Sequence, residues 1–397
     1  MTHVPSPRAL LTFLFTLTFL ESVSSTLLQR GIYFYAQEQL HFTQTQNLWL
    51  ALGSGVTYVA GAFGSHFMAH RVGERRLVVL LLILLGAVHL GIGMWPNLLV
   101  LPLGFVVVGG LQGLKWPIVE SFVSAGATPR VLLPRLARYN VTWAIATTLG
   151  VGLSGFLIGS RSPTSVFVAA ALINLVALGL CWTLPAQPRH LPDEHPERPD
   201  VRELDKFRKL LGSARWSMLG SYALMFALAP LMPSLFRRLE LSVREATLAA
   251  SLIDAVRVVG FAVMGAWSGW RGRSLPLVVV IALLPLSFAL IVFGDALPLM
   301  LLGEGLFGLC AAFCYTSALY YALVVQNASV DAGGAHEALI GLGFVIGPGA
   351  GLLGQVLGSS GLGANAGMLL AMLPIILVCA TAAGRSLRQR SVSSGRA

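Results

Sequence analysis

Residues 66–95 read HFMAHRVGERRLVVLLLILLGAVHLGIGMW, an arginine-rich segment that runs directly into a long apolar one. A helix needs about 20 mostly apolar residues to cross a lipid bilayer, and residues 77–95 supply a run of about that length. The bilayer core offers no water to satisfy free backbone groups, so such a run crosses as a helix and not as an open strand. The stretch therefore predicts a membrane-spanning helix that follows a charged loop.

The same alternation of apolar run and short loop recurs along the whole chain. Hydrophobic residues make up 55% of the 397 residues and charged residues only 11%. Soluble proteins carry about 25% charged residues, so this composition indicates a membrane protein. We predict an all-α membrane protein with twelve spans, near residues 9–36, 46–70, 76–95, 97–125, 136–159, 163–184, 216–236, 246–270, 274–294, 296–325, 337–358 and 361–384.

Basic residues are distributed unevenly between the two sides of the predicted membrane. With the N-terminus in the cytoplasm, roughly 20 lie inside and roughly four outside, which is the positive-inside pattern. Loop 326–336 departs from it, because this loop should be cytoplasmic yet carries only Asp331 and His336. The first span is expected to stay uncleaved, since its apolar character resumes at Leu27 and continues to Tyr35. We expect both termini on the cytoplasmic side of a plasma (inner) membrane.

The formal net charge of +10 does not indicate a nucleic-acid partner. Nearly all of it lies in the predicted cytoplasmic loops, where anionic lipid headgroups are the natural partners. The cysteines all lie inside apolar spans, which predicts packing instead of a disulfide or a metal site; they are Cys181, Cys310, Cys314 and Cys379. We predict no metal and no cofactor, and we expect a monomer.

The most polar stretch, residues 185–215, divides the predicted spans into six and six. Prolines are dense in its first part, which is typical of a linker, and from Val201 onward it has the character of a short amphipathic helix. We predict an N-terminal six-helix bundle (1–184), a cytoplasmic linker (185–215) and a C-terminal six-helix bundle (216–397). At an offset of about 195 residues, Gly110 and Gly113 match Gly305 and Gly308, a faint sign of duplication.

The loop between the second and third predicted spans resembles the signature of the major facilitator superfamily of transporters, Gly-x-x-x-Asp-Arg-x-Gly-Arg-Arg. The stretch 66–76 keeps Arg71, Gly73, Arg75 and Arg76, with His66, His70 and Glu74 at the other signature positions. The second half echoes the pattern with Gly265, Gly272 and Arg273. The resemblance covers essentially the whole chain. It implies two pseudo-symmetric six-helix bundles around a central cavity, lined by spans 1, 4, 7 and 10.

Span 1 carries a polar stripe that a bilayer would normally exclude. An ionisable side chain at the bilayer centre costs about 2.5–3.5 kcal/mol on insertion scales. Five residues share one arc of about 100° and should face the protein interior or a water-filled cavity; they are Thr18, Glu21, Ser22, Ser25 and Gln29. We expect Glu21 to carry a proton in that cavity. The alternative is a protonated or paired structural residue.

Two further spans carry opposite charges within the predicted membrane. Lys115 and Glu120 lie about 140° apart on an ideal helix, so they are not expected to pair with each other. Lys115 needs an anion, for which Glu21 and Asp254 are candidates. Asp254 and Arg257 stand three residues apart and are expected to pair. That pair is either a neutralised structural feature or a switch whose partner changes between conformations.

The candidate substrate- or ion-binding residues are Glu21, Arg30, Lys115, Glu120, Asn140, Trp143, Asp254, Arg257, Glu304 and Tyr315. Outside this set, His89 is predicted to be packed or lipid-facing.

From the resemblance we predict a secondary active transporter that moves a small solute by alternating access, driven by protons or another gradient. The chain lacks a phosphate-binding Gly-x-x-x-x-Gly-Lys-Ser/Thr loop, so ATP is not expected to drive it. One alternative is a receptor or scaffold that keeps the fold without transporting. An enzyme is not expected, because it would need a cluster of His, Asp or Ser at one depth. Glu21→Gln is predicted to abolish proton-coupled accumulation while leaving exchange of bound solute.

Overall fold

The structure is a computed structural model that describes residues 7–188, 201–326 and 330–388, without the side chains of residues 7, 8, 129, 130, 201 and 330–333. Eleven helical segments in these ranges are long and apolar enough to cross a membrane, and one shorter apolar helix follows the fifth. They confirm the predicted all-α fold with twelve spans. The spans are span 1, Pro7–Gln29 and Gly31–Leu40; span 2, Gln44–Val72; span 3, Glu74–Met94; span 4, Val100–Ser124; span 5, Pro129–Ile158; span 6, Ser165–Cys181; span 7, Val201–Arg237; span 8, Val243–Ala250 and Leu252–Ala266; span 9, Leu275–Phe293; span 10, Leu297–Val325; span 11, Val330–Leu357; and span 12, Ala364–Arg388.

Spans 1–6 form the N-half of the molecule and spans 7–12 the C-half. We call the side on which span 1 begins and span 12 ends the terminal face, and the other side the opposite face. Spans 2 and 11 pack against each other, and so do spans 5 and 8, which joins the two halves. Hydrogen bonds across the halves at the opposite face include Ser234 to Gln37 at 2.7 Å, Gln355 to Gln44 at 3.2 Å and Arg244 to Gly159 at 2.8 Å.

Spans 7 and 11 begin earlier than their apolar runs predict. Span 7 is one helix from Val201 to Arg237, so residues 201–215, expected in the linker, extend a membrane helix. The helix continues because Leu204, Phe207 and Leu211 recur at helical spacing and are buried. Residues 189–200 lie outside the described residues, so the domain boundary stays a prediction. Span 11 begins at Val330 and not at residue 337.

Corresponding positions in the two halves use the same local devices. Thr43 and Ser242 each begin the second span of their half with a capping box, in which a side chain three residues later closes the first turn. Gly73 and Gly272 follow these spans with φ of 89° and 66°, a conformation that glycine adopts without steric cost. These matches extend the duplication beyond what glycine-rich helices would show by chance.

Close helix packing repeats between the halves as well. A Cβ on Gly113 would overlap the Tyr58 backbone where span 4 meets span 2, and a Cβ on Gly308 would overlap the Ile253 backbone where span 10 meets span 8. The offset of about 195 residues that relates Gly113 to Gly308 also relates Tyr58 to Ile253. Small residues allow such close backbone approach in membrane helices.

We expect Gly308→Ala to destabilise the protein by about 1–3 kcal/mol, the cost of overpacking a tight contact. The matched control is Gly305→Ala in the same helix, where a Cβ would meet nothing within 4 Å. Thermal unfolding of the detergent-purified variants measures the difference. Equal stability of the two variants would contradict the close approach of spans 8 and 10.

Candidate functional site

A cavity of about 150 Å³ lies between the N-half and the C-half. Side chains of spans 1, 2, 4 and 5 line it from one half, and side chains of spans 7, 8, 10 and 11 line it from the other. Three residues of the span 1 stripe, Ser22, Ser25 and Gln29, lie in its wall. Six predicted site residues do so as well, namely Arg30, Glu120, Trp143, Asp254, Arg257 and Tyr315.

Three of these residues form a charge triad of Arg30, Asp254 and Arg257. The Arg257 guanidinium donates to Asp254 Oδ1 at 3.0 Å, which is the predicted pair. Arg30, from the other half, places Nη1 3.7 Å from Asp254 Oδ2. Asp254 is fully buried, whereas the Arg30 side chain is 13% exposed. The triad contains two cations and one anion, and Arg30 is the more loosely held cation.

Arg257 is held on several sides. Its guanidinium lies 4.5 Å from the ring centre of Trp143, a cation–π contact that crosses between the halves. Its Nη2 donates to the Tyr222 hydroxyl at 3.2 Å. Trp143 is oriented in turn by its indole N–H, which donates to Asn140 Oδ1 at 3.2 Å. Asn140 is itself buried and does not line the cavity, so its place is behind Trp143.

Aromatic rings fill the space between the triad and the terminal-face side of the cavity. The Tyr315 ring lies 5.4 Å from Trp143 and 6.4 Å from Tyr222, measured between ring centres. Phe226 of the C-half stacks on Phe344 of the same half at 3.5 Å. The cavity therefore offers apolar contact surface beside its charged groups.

Beyond the aromatic rings lies a carboxyl pair, Glu120 of span 4 and Glu337 of span 11. Their side chains are within hydrogen-bonding range of each other. Tyr315 of the C-half donates to Glu120 Oε1 at 3.1 Å, and Tyr58 of the N-half donates to Glu337 Oε2 at 2.6 Å. Each carboxyl group is thus bound by a tyrosine of the other half. These two hydrogen bonds therefore join the halves at this position.

The structure places Glu21 and Lys115 together inside the N-half and away from the cavity wall. Lys115 Nζ donates to Glu21 Oε2 at 2.5 Å, and both side chains are at most 1% exposed. Glu21 is one of the two anions that the sequence suggests for Lys115. This pairing matches the geometry of the alternative for Glu21, and neither residue lines the cavity. The predicted role of Glu21 as a proton carrier stays a prediction.

A second polar cluster links spans 1, 3 and 6 of the N-half. Ser24 donates to Asn174 Oδ1 at 3.1 Å, and Asn174 Nδ2 lies 2.9 Å from His89 Nδ1. His89 is fully buried. Of the two environments predicted for it, the packed one is therefore found.

Glu304 of span 10 is fully buried and does not line the cavity. Within the described residues, neither of its carboxyl oxygens has a hydrogen-bond partner. The same ranges contain no group of three or more His, Cys, Asp or Glu side chains arranged to hold a metal ion.

The signature loops lie at the terminal face. Arg75 Nη1 donates to the Leu184 carbonyl oxygen at 3.0 Å, which ties the loop to the end of span 6. The Arg71 guanidinium lies 4.0 Å from the Phe67 ring centre. The Gly272 N–H donates to the Tyr321 hydroxyl at 3.0 Å. Gly73 is the N-cap of span 3. Three loop arginines are exposed, namely Arg71, Arg76 and Arg273.

Sequence patterns missed Glu337 and Tyr58. Glu337 adjoined a segment taken as a loop, but span 11 begins at Val330, so Glu337 lies two turns inside the helix. The segment before Glu337 contains no proline, and this was the available signal that the helix could begin earlier. Tyr58 carried no signal, since a tyrosine within an apolar span is common.

The chain is similar in sequence and in fold to known transporters. The sequence model described as Major Facilitator Superfamily matches residues 14–348. A mutant of the nucleoside transporter NupG superposes with a TM-score of 0.70 at 14% identity, covering 95% of this chain and 99% of that one. The human organic anion transporter MFSD10 (TETRAN) gives 0.65 at 16% identity, covering 96% and 100%.

A bacterial homologue of the human lysosomal transporter Spinster, in an inward-facing and unoccupied conformation, gives a TM-score of 0.68 at 14% identity. The match covers 98% of this chain and 100% of that one. Among curated protein sequences, none matches the chain significantly. Identities this low show a shared fold alone.

Proposed function

The chain belongs to the Major Facilitator Superfamily and is an integral membrane transporter, and we propose that it moves a small solute carrying an anionic group by alternating access. Alternating access requires a binding site at the interface of two halves that rock against each other. The observation that carries the proposal is the cavity between the halves, with the Arg30–Asp254 contact crossing it.

The charge triad supports an anionic group on the solute. Its charges sum to +1, and Arg30 is its partly exposed and loosely held member. A guanidinium group presents a planar fork of donors that matches a carboxylate or phosphate. An anionic solute can therefore compete with Asp254 for Arg30. Such exchange would couple solute binding to the contact between the halves.

The remaining cavity wall supports a small solute with an apolar body. Tyr315, Trp143 and Phe344 supply ring surface next to the triad. Pockets for drug-sized ligands measure about 300–1,000 Å³, and the cavity of about 150 Å³ is smaller. A metabolite-sized anion or zwitterion fits these dimensions better than a drug.

The energy source in this proposal is an ion gradient, because the chain lacks the phosphate-binding loop of nucleotide-driven pumps. We further propose that the terminal face is cytoplasmic and that the protein resides in the plasma (inner) membrane. The excess of arginine in the loops of that face supports this orientation.

The proposal predicts selectivity for anionic groups, tested with a panel of labelled organic anions, zwitterions, cations and neutral solutes of similar size. We expect anions or zwitterions to raise the unfolding temperature of the purified protein and to enter proteoliposomes. Arg30→Gln should lower that uptake about 10–100-fold, the value of a charge-assisted hydrogen bond of about 1.5–3 kcal/mol. Arg30→Lys should retain part of it.

Glu38→Gln is the control, because Glu38 is exposed at the opposite face and does not line the cavity. Uptake restricted to cations, or uptake unchanged in Arg30→Gln, would contradict the anionic assignment. Stabilisation by a solute that never enters vesicles would instead favour the alternative of a receptor that keeps the fold.

A further inference from the structure

The carboxyl pair of Glu120 and Glu337 occupies a distinctive place in the fold. Glu120 lies four residues before the end of span 4, and Glu337 lies seven residues after the start of span 11. At about 1.5 Å of rise per residue, both are within about 11 Å of the terminal face along their helices. The pair therefore forms the part of the cavity wall nearest that face, with one carboxyl group contributed by each half.

Among the described residues, the surroundings of the pair hold no compensating cation. The facing titratable groups are hydroxyls of spans 2, 5, 7 and 10 and one imidazole of span 11, namely Tyr58, Tyr139, Tyr222, Tyr315 and His336. In the part of the chain that the structure describes, no Lys, Arg or His lies within ion-pair distance of either carboxyl group. Arg215 interacts electrostatically with His336. It forms no ion pair with either carboxyl group of the pair.

Two carboxyl groups in contact and without a cation cannot both be ionised at low cost, because like charges repel strongly where water is excluded. One proton between them turns the repulsion into a hydrogen bond. The described part of the protein offers no other partner for that position, since Glu120 Oε2 lacks a hydrogen-bond donor there. A single proton satisfies this oxygen.

We propose that Glu120 and Glu337 hold the coupling proton between them and that this shared proton keeps the terminal-face side of the cavity closed. Release of the proton leaves two carboxylates in contact across the halves. Their repulsion separates spans 4 and 11, and the two tyrosine hydrogen bonds between the halves break with them. This rests on the proposed transport function, and it assigns the coupling ion to a site between the halves.

The other buried carboxyl groups fit this role less well. Glu21 is paired with Lys115 inside one half, so a change in its protonation would not push the halves apart. Glu304 belongs to span 10 alone and has no hydrogen-bond partner among the described residues of the other half. Asp254 already has two arginines beside it. Of the carboxyl groups that the structure describes, only this pair places two like groups on opposite sides of the moving interface.

The test measures the terminal-face distance directly, without any solute. Spin labels are placed at His70→Cys in the N-half and Ser274→Cys in the C-half. Both positions are exposed; His70 lies in the first signature stretch, and Ser274 directly follows the second. The native cysteines, all buried, are replaced by alanine. Distances between the labels are then recorded by double electron–electron resonance in lipid nanodiscs at about pH 5 and about pH 8. Histidines ordinarily titrate within this range, so a histidine variant is included as a control.

We expect the labelled wild type to show a longer terminal-face distance at the higher pH. Glu120→Gln with Glu337→Gln should lose this shift and keep the short distance at both pH values, because neutral amides do not repel. The single variant Glu337→Gln should also lose the shift and keep the short distance. It serves as the test if the double variant folds poorly. Glu38→Gln and His336→Asn should retain the shift.

The proposal is overturned if the double glutamine variant keeps the wild-type shift. Loss of the shift in His336→Asn or Glu304→Gln, with the shift kept in the double variant, would assign the proton to that other residue. The outcome is separable from that of the proposed function. A proton-dependent distance change without uptake of any solute would support the carboxyl pair and contradict transport. Proton-driven uptake that survives in Glu120→Gln/Glu337→Gln would do the reverse.

Discussion

Lys115→Met is expected to destabilise the protein by about 3–5 kcal/mol, the cost of breaking a buried ion pair by removing one partner. Lys115 and Glu21 are fully buried and bonded at 2.5 Å. Methionine fills a similar volume, so the loss is electrostatic and not a cavity effect. It leaves Glu21 without a cation in an apolar interior, where an unpaired charge is strongly disfavoured. Thermal unfolding and size-exclusion profiles in detergent measure the effect.

The double variant Glu21→Gln/Lys115→Met provides the rescue. Because it removes both charges together, it should recover most of the stability and also the solute uptake. Glu21→Gln alone should be unstable, since it leaves Lys115 unpaired. If Glu21→Gln is instead stable and loses only proton coupling, Glu21 is a coupling residue, as its place on the polar stripe suggested. That result would contradict a structural role for the pair.

Asp254→Asn is expected to lower transport about 100-fold or more, which corresponds to about 2.8 kcal/mol or more at about 1.4 kcal/mol per tenfold change. Asp254 is the shared anion of Arg30 and Arg257. Its neutralisation leaves two guanidinium groups facing each other across the halves and removes the Arg30–Asp254 contact. An uncompensated Arg257 within the protein should also trap the anionic solute and slow its release. Initial uptake rates and exchange rates in proteoliposomes measure both effects.

Arg237→Gln is the matched control, because Arg237 also forms an ion contact between the halves. It lies 4.0 Å from Glu38, and both side chains are about half exposed. Exposed pairs contribute about 0–1 kcal/mol, so transport should remain close to that of the wild type. An Asp254→Asn protein that transports normally would mean that the triad is not part of the working site.

Several features of the site were accessible from sequence because they depend on one helix at a time. Asp254 and Arg257 stand three residues apart, so any helix through them brings the pair together. Ser22, Ser25 and Gln29 were placed toward a cavity by helical period, and they line it. Glu21 shares their arc yet turns to Lys115, because span 1 is packed against several neighbours of its own half. Helical period shows which residues share a face of a helix, but it does not show which neighbouring helix each of these residues contacts.

The partners of the remaining buried groups depend on contacts between distant segments. Lys115 and Glu21 are 94 residues apart, and Tyr58 and Glu337 are 279 residues apart. No periodicity within either helix specifies such a pairing. The start of span 11 shows the same limit locally, since its earlier beginning at Val330 moved Glu337 from a predicted helix end to a buried position.

The sequence by itself determined the spans, their alternation and the cluster of charges that a bilayer excludes. Span length and apolar composition are local properties that the bilayer selects directly. The tertiary structure alone decided which of those charges neutralise each other within one half and which meet across the two halves. That choice follows from how the helices pack, because the cost of a buried charge depends on the groups that surround it and not on its own position in the chain.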